Sequence, residues 1–421
     1  MKYIITGGKK LSGNIRVSGN KNSVFPCVSA ALLTSEEVVL ENISKLRDTD
    51  VLIQILKKLG VSVKFEKNTL TLRAGEIKQF SLPHELMAKL RGSIVLVSAI
   101  LARKNKVNFY HPGGDIIGQR SIETHIEGFK SLGATFKVNN GKFTLQFPQD
   151  SKEVKNFTIF LQEASVTAVE NLIISSVLGE RSVVLKNCPQ EPHVLDLCKL
   201  LQQMGANITG IGTSTLNIIG VERLYGTKFK VGIDYIEIGT YAVAAAITEG
   251  RIKIEGLDNT DLDPVLIPLK RFGLQVEQNG DSVTFSAGSL KSPPRLVTNI
   301  WPGFPTDVMS VAIVLATQSK GMMMCHDWMY ESRMFFVDKL ISMGAHIILA
   351  DPHRVLISGP KKLRARSLAT PDIRAGMALV LASLVARGKS TINQAELIER
   401  GYEDVVGKLK SLGAQIERIE I

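Results

Sequence analysis

Val405-Val406-Gly407-Lys408-Leu409-Lys410-Ser411-Leu412-Gly413-Ala414 is the stretch on which the fold turns. Val405, Leu409 and Leu412 fall at the spacing of one face of an amphipathic helix. Gly413 stands where such a helix needs a left-handed C-cap, and strand-like alternation follows. The phrase recurs at Leu59-Gly60, Leu132-Gly133-Ala134, Met204-Gly205-Ala206, Phe272-Gly273 and Met343-Gly344-Ala345, at intervals of about 70 residues. Six copies of helix, glycine cap and strands make this a repeat architecture.

Upstream of each phrase lies a helix that is apolar on nearly every side: Ser23 to Leu33, Leu90 to Ala102, Ser165 to Leu178, Thr240 to Ile247, Asp307 to Ala316 and Arg374 to Ala386. A helix hydrophobic all round belongs inside a domain. The unit therefore reads as buried helix, strand, loop, exposed helix, strand, strand. Six units predict an α/β fold of two domains, each an inside-out α/β barrel of three repeats with buried helices and outer sheets. The expected domains are 20–230, carrying a loop at 111–120, and 1–19 plus 231–421, with an active site in the cleft between them. The N-terminal strand then needs a partner in the second half of the chain.

A chain of 421 residues suits two domains, and 44% hydrophobic with 22% charged content is ordinary for globular protein. The formal net charge of +11 points to anionic partners. The basic residues are dispersed and only 6% of residues are aromatic, which argues against nucleic acid and for small anions. Cys27, Cys188, Cys198 and Cys325 have neither metal-site spacing nor disulfide density, as expected in a reducing compartment. The first residues lack the apolar run of a signal peptide, and no apolar stretch is long enough to span a bilayer, so a cytoplasmic protein without membrane insertion is expected. No His and carboxylate cluster has metal-ligand spacing, and neither metal nor cofactor is expected.

The loop His111-Pro112-Gly113-Gly114-Asp115-Ile116-Ile117-Gly118-Gln119-Arg120 is too rich in glycine for helix or strand. It reads either as an active-site lid carrying Asp115 and Arg120 or as a plain surface turn. Polar residues gather at the starts of the buried helices: Lys21 and Asn22, Arg91, Ser165, Glu237 ahead of Gly239-Thr240, Asp307, and Arg374. Helix N-termini attract anions, although an Asp or Ser there is also an ordinary N-cap. With Arg120, Arg333 and Arg400, these cations suit a substrate bearing both carboxylate and phosphate; for Arg333 and Arg400, pairing with neighbouring glutamates is the alternative.

Ser18-Gly19-Asn20-Lys21-Asn22, the Pro112-Gly113-Gly114 loop ending in Arg120, Phe304-Pro305-Thr306-Asp307, Glu331-Ser332-Arg333, Asp372-Ile373-Arg374 and Glu399-Arg400-Gly401-Tyr402-Glu403 resemble, in order and nearly end to end, the bacterial UDP-N-acetylglucosamine 1-carboxyvinyltransferases. That family has the inside-out architecture read from the repeat. The resemblance implies transfer of the enolpyruvyl group of phosphoenolpyruvate to the 3-hydroxyl of UDP-N-acetylglucosamine, releasing phosphate, at the first committed step of peptidoglycan synthesis. It puts Lys21, Arg120 and Arg400 on the phosphate of phosphoenolpyruvate, Arg333 and Arg374 on its carboxylate, and Asn22 beside it. UDP-N-acetylglucosamine would meet Arg91, Arg120, Ser121, Ile122, Glu123, Thr124, Glu163, Ala164, Ser165, Val166, Asp307 and Met329. Asp307 would be the general base, with Asp115, Lys21 and Arg400 completing the catalytic set.

Three departures accompany the match. Asp115 stands where most members carry a cysteine, the proposed acid and the target of the epoxide fosfomycin, so an enzyme insensitive to that drug is expected. Ser121-Ile122-Glu123-Thr124 replaces the usual Pro-x-Asp-Leu, and Glu163 replaces a usual lysine. A shikimate 3-phosphate transferase would share the architecture, but Lys89-Leu90-Arg91-Gly92-Ser93 stands where its Gly-Asn-Ala-Gly-Thr segment belongs. A catalytically silent UDP-sugar-binding paralogue is the other alternative. His125 reads as a brace for the loop or as a structural histidine, Met322-Met323-Met324 as strand packing, and the chain as a monomer or weak homo-oligomer.

Overall fold

The structure is a computed structural model that describes residues 1–115, 117–148 and 155–420. Ile116 of the predicted loop, 149–154 of the first predicted domain and Ile421 of the second lie outside the described residues. The chain forms two compact units. One comprises Gly19–Gly114 and Arg120–Gly232, the other Met1–Ser18, Asp115–Gln119 and Ile233–Ile421.

In the first unit the helices Lys21–Ala31, Leu96–Lys104 and Val166–Ser176 are buried almost throughout. Around them lie two four-stranded sheets and one three-stranded sheet, with the amphipathic helices Arg47–Lys58, Glu123–Ser131 and Pro192–Gln203 over the outside. In the second unit Tyr235–Ile247, Thr306–Gln318 and Ile373–Val385 are the buried helices, and three four-stranded sheets surround them. Each unit thus has helices inside and sheets outside, and its own hydrophobic core. Burial of each large aliphatic side chain there contributes roughly 1.5–3 kcal/mol, which is why these helices are rich in Val, Ile, Leu and Ala.

The glycines of the repeated phrase carry out the predicted task. Gly60, Gly133, Gly205, Gly273, Gly344 and Gly413 all have left-handed φ values, from 87° to 103°. Only glycine adopts that conformation without strain, and the chain there turns sharply from amphipathic helix into strand.

The sheets show how the repeats are stitched. In three repeats the strand just before the buried helix pairs in parallel with the strand just after it, as Lys155–Phe160 does with Arg181–Lys186. At the two chain crossings these partners are exchanged. Ser12–Ile15, ahead of Lys21–Ala31, pairs with Arg251–Glu255, which follows Tyr235–Ile247. Thr227–Lys230, ahead of Tyr235–Ile247, pairs with Glu37–Glu41, which follows Lys21–Ala31. In the second repeat the parallel strand shrinks to a single bridge from Ser81 to Asn108. The N-terminal strand Lys2–Thr6 finds its partners in the second half, between Lys389–Asn393 and Gln415–Ile419.

The fourth buried helix differs from expectation. It starts at Tyr235, five residues before the predicted Thr240, because Asp234 caps it by accepting from the N–H groups of Ile236 and Glu237. Gly239 lies inside this helix and lets it approach its neighbour: a Cβ there would lie 2.8 Å from Val265 Cγ1. The second helix also differs, since Arg91–Val95 forms a 3-10 turn ahead of the α-helix. Met323 and Cys325 are buried, whereas Met322 of the same strand points outward. Among the described residues no helix is long and apolar enough to cross a membrane.

Candidate active site

The first unit gathers one set of predicted residues at the starts of its buried helices. Asn20 caps Lys21–Ala31, its side-chain oxygen accepting from the Asn22 N–H at 3.0 Å. That places Lys21 in the first turn, where its ammonium lies 2.8 Å from the Asp48 carboxylate, both largely buried. Asp48 escaped the sequence reading because it looks like any acidic residue in the first turn of an exposed helix. Arg91 heads the 3-10 turn and donates to the Ser121 carbonyl at 3.1 Å. Gly114 brings Arg91 and Arg120 together: a Cβ there would sit 2.8 Å from Arg91 Cβ and 3.0 Å from an Arg120 guanidinium nitrogen.

Ser121 and Ile122 lead into the helix Glu123–Ser131, and the Ser121 hydroxyl accepts from the Glu123 N–H at 3.0 Å. Thr124 in its first turn donates to the Glu163 carboxylate at 3.3 Å. Glu163, Ala164 and Ser165 in turn lead into the helix starting at Val166. Ser165 holds the N-cap position without making a side-chain cap bond, so the simple N-cap alternative does not describe it. The segments Arg120–Thr124 and Glu163–Val166 are therefore neighbours.

The second unit holds the other set. Asp307, in the first turn of Thr306–Gln318, receives Arg333 on one carboxylate oxygen at 2.9 Å and Arg374 on the other at 3.1 and 3.2 Å. Arg333 and Arg374 are 2% and 4% exposed, so each depends on its charge partners. Burial by itself would lower the Arg333 pKa, but Asp307, Asp372 and Asp327 outweigh it and raise it. For Arg374, burial is likewise outweighed, chiefly by Asp307, and its guanidinium lies 5.1 Å over the Tyr402 ring. Arg333 pairs with Asp307 rather than with adjacent Glu331. Asp372 caps Ile373–Val385 and accepts from the Arg374 and Ala375 N–H groups. Burial raises its pKa, and Arg333 opposes that shift.

Asp327, also missed, sets the local geometry. It accepts from the Met329 N–H at 3.0 Å, from the Thr298 hydroxyl at 3.2 Å and from Thr306, the residue before Asp307. Met329 and Thr306, the residue before Asp307, are thus held by one carboxylate just past the strand Gly321–His326, for which the sequence carries no local signal.

The loop divides. Residues 111–114 belong to the first unit, whereas Asp115–Gln119 belong to the second, in place of the single assignment expected from sequence. The reason is a set of specific bonds. Arg400 donates to Asp115 at 3.0 Å, Gln119 N–H donates to Glu331 at 2.6 Å, and Ser332 N–H donates to the Ile117 carbonyl at 3.1 Å. Gly118 packs so tightly on Glu331 that a Cβ would fall 2.3 Å from its carboxylate oxygen. The Gln119 N–H holds the Glu331 carboxyl below its ordinary value. His125, on the helix Glu123–Ser131, is buried and bonds to Thr167 and Asn171 of the helix Val166–Ser176. No group of metal-ligating side chains occurs among the described residues.

Residues 5–409 match the family model of EPSP synthase, 3-phosphoshikimate 1-carboxyvinyltransferase. Among solved structures, the enolpyruvyl transferase NikO from Streptomyces tendae superposes with a TM-score of 0.88 at 24% identity, over 99% of this chain and 98% of that one. EPSP synthase from Acinetobacter baumannii superposes with a TM-score of 0.77 at 17% identity, over the full length of both. The inside-out α/β units are those of the enolpyruvyl transferases. In sequence, the UDP-N-acetylglucosamine 1-carboxyvinyltransferase of Borrelia garinii subsp. bavariensis is 42% identical over 426 residues, covering 99% of each chain. That of Treponema denticola is 41% identical with the same coverage. The chain belongs to the EPSP synthase family and, within it, to the UDP-N-acetylglucosamine 1-carboxyvinyltransferases.

Proposed function

We propose that the protein transfers the enolpyruvyl group of phosphoenolpyruvate to the 3-hydroxyl of UDP-N-acetylglucosamine, in the cytoplasm, as the committing step of peptidoglycan synthesis. The observation that carries the reading is the Asp307 carboxylate set between Arg333 and Arg374 at the start of a buried helix. A sugar hydroxyl needs a base, and a carboxylate-bearing co-substrate needs paired guanidiniums; this corner offers both. Asp307 accepts the hydroxyl proton as the sugar oxygen bonds to the enol carbon, while the methylene carbon takes a proton. Loss of phosphate, together with loss of a proton from the new methyl group, restores the double bond. Positioned base catalysis of this kind contributes roughly 10²- to 10⁴-fold.

Asp115, in its protonated form, is assigned the proton delivered to the methylene carbon, and Arg400, 3.0 Å away, the phosphate, with Lys21 and Arg120. Arg333 and Arg374 take the carboxylate, and Asn22 faces the same substrate. The nucleotide sugar is assigned to Arg91, Arg120–Thr124, Glu163–Val166, Asp307 and Met329. No cofactor enters this chemistry. A carboxylate at 115 lacks the nucleophilicity of a thiolate, so fosfomycin is not expected to alkylate the loop. Phosphate release from phosphoenolpyruvate, compared between UDP-N-acetylglucosamine and shikimate 3-phosphate as acceptors, tests the reading. Release with the nucleotide sugar alone supports it; release with shikimate 3-phosphate, or with neither, overturns it.

A further inference from the structure

Two helices of the first unit begin at the segments assigned above to the nucleotide sugar: Glu123–Ser131 follows Arg120 to Ile122, and Val166–Ser176 follows Glu163 to Ser165. His125 joins them. It is 2% exposed, with Nδ1 at 2.8 Å from the Asn171 side-chain nitrogen and Nε2 at 3.1 Å from the Thr167 hydroxyl. The orientation of Asn171 is fixed independently, because its oxygen accepts from the Ser98 N–H and its nitrogen also donates to the Ile94 carbonyl. Its nitrogen is therefore a donor to His125, Nδ1 is an acceptor, and the ring proton sits on Nε2, where it donates to Thr167. Burial and the nearby Arg91 charge push the His125 pKa down to about 3, so this one neutral tautomer persists at any physiological pH. Gly128 permits the close approach the bonds require, since a Cβ there would lie 2.8 Å from Leu172 Cδ1. At the surface of the same corner, Thr124 reaches Glu163 and Arg91 reaches Ser121.

We infer that His125 is a positioning residue for the nucleotide sugar: through Thr167 and Asn171 it fixes the spacing between the segments 121–124 and 163–166. The inference rests on the function proposed above. His125 is not an acid or a base in the reaction; it acts on binding of one substrate alone. The test is steady-state kinetics of wild type, H125F, H125Q and T167V, with melting temperatures for each. H125F and T167V are expected to raise KM for UDP-N-acetylglucosamine about tenfold, the effect of a lost buried hydrogen bond, with kcat and the KM for phosphoenolpyruvate nearly unchanged. H125Q, whose terminal amide can still donate toward Thr167, is expected to recover part of the loss. T167V is close to isosteric and keeps the test alive if H125F fails to fold. Unchanged KM for the nucleotide sugar in T167V, or equal losses for both substrates, overturns the inference. If the wild type neither turns over nor binds UDP-N-acetylglucosamine, the proposed function falls and this inference falls with it; an active wild type with unaffected variants sinks this inference alone.

Discussion

Replacing Asp307 with Asn removes one charge while preserving the shape at the point where two buried guanidiniums meet. Catalytic acids and bases are often destabilising where they stand, and their removal then raises stability. Here the opposite sign is expected. Arg333 and Arg374 are both nearly inaccessible to water and both bond to Asp307. Leaving one buried charge without its partner costs about 3–5 kcal/mol. Two features reduce that figure: the Asp307 side chain is itself 28% exposed, and Asp327 and Asp372 lend Arg333 further negative charge. A cost of about 2 kcal/mol remains after that discount. For a unit of about 200 residues this lowers Tm by roughly 4–8 °C. Thermal unfolding of D307N against wild type, followed by fluorescence at low ionic strength, reads the shift. Adding phosphoenolpyruvate should restore more of the lost Tm in D307N than it adds to wild type, because its carboxylate supplies the missing charge. A D307N protein as stable as wild type, or more stable, would refute the view that Asp307 is the resident counter-ion of these arginines.

Gly118→Ala forces a side chain into the Glu331 carboxylate at a backbone φ of 138°, so kcat/KM is expected to fall about tenfold, with proteolysis at 115–119 enhanced; unchanged kinetics would show that the Gly118 contact is dispensable. Incubation with fosfomycin and UDP-N-acetylglucosamine should leave the intact mass unchanged, whereas D115C should gain one drug adduct; an adduct on the wild-type loop would contradict the assignment of Asp115. Burial raises the Asp234 pKa from 3.8 to about 6 against the lowering by Arg374, so the folded state holds this proton more tightly than the unfolded chain. Its stabilising effect is then complete below about pH 4 and lost as pH rises to about 6. D234N keeps the cap oxygen but not the titration, so the stability difference between wild type and D234N should shift in favour of D234N across that window; a flat difference would refute the raised pKa.

Periodicity and glycine placement made the repeats readable, because both are local consequences of backbone sterics. The left-handed glycine after each amphipathic helix needs no tertiary information, nor does the all-round apolarity of the six buried helices. What escaped was set by distant partners. The fourth buried helix runs through Gly239 although glycine in isolation weakens helices, because Val265 packs where its side chain would be. Asp48, Asp327 and Glu331 are ordinary acids in sequence; only the fold brings them to Lys21, to Met329 and Thr306, and to the loop. His125 was visible as a candidate brace, but the element it braces depends on which helix lies across from it.

A common rule connects four of the five cations assigned to phosphoenolpyruvate. Lys21 holds Asp48, Arg333 and Arg374 hold Asp307, and Arg400 holds Asp115. Each of these four charges has a carboxylate from its own unit. Under the proposed assignment, an incoming phosphate and carboxylate would exchange with resident acids rather than fill bare sites. Two of those acids, Asp307 and Asp115, are the groups assigned to proton transfer. While both guanidiniums hold Asp307, their three hydrogen bonds compete with a sugar hydroxyl for its oxygens. A co-substrate carboxylate would, under the same assignment, compete with Asp307 for Arg333 and Arg374, and its phosphate would compete with Asp115 for Arg400. On this reading the charges assigned to phosphoenolpyruvate would also hold the assigned acid and base in reserve until it is present.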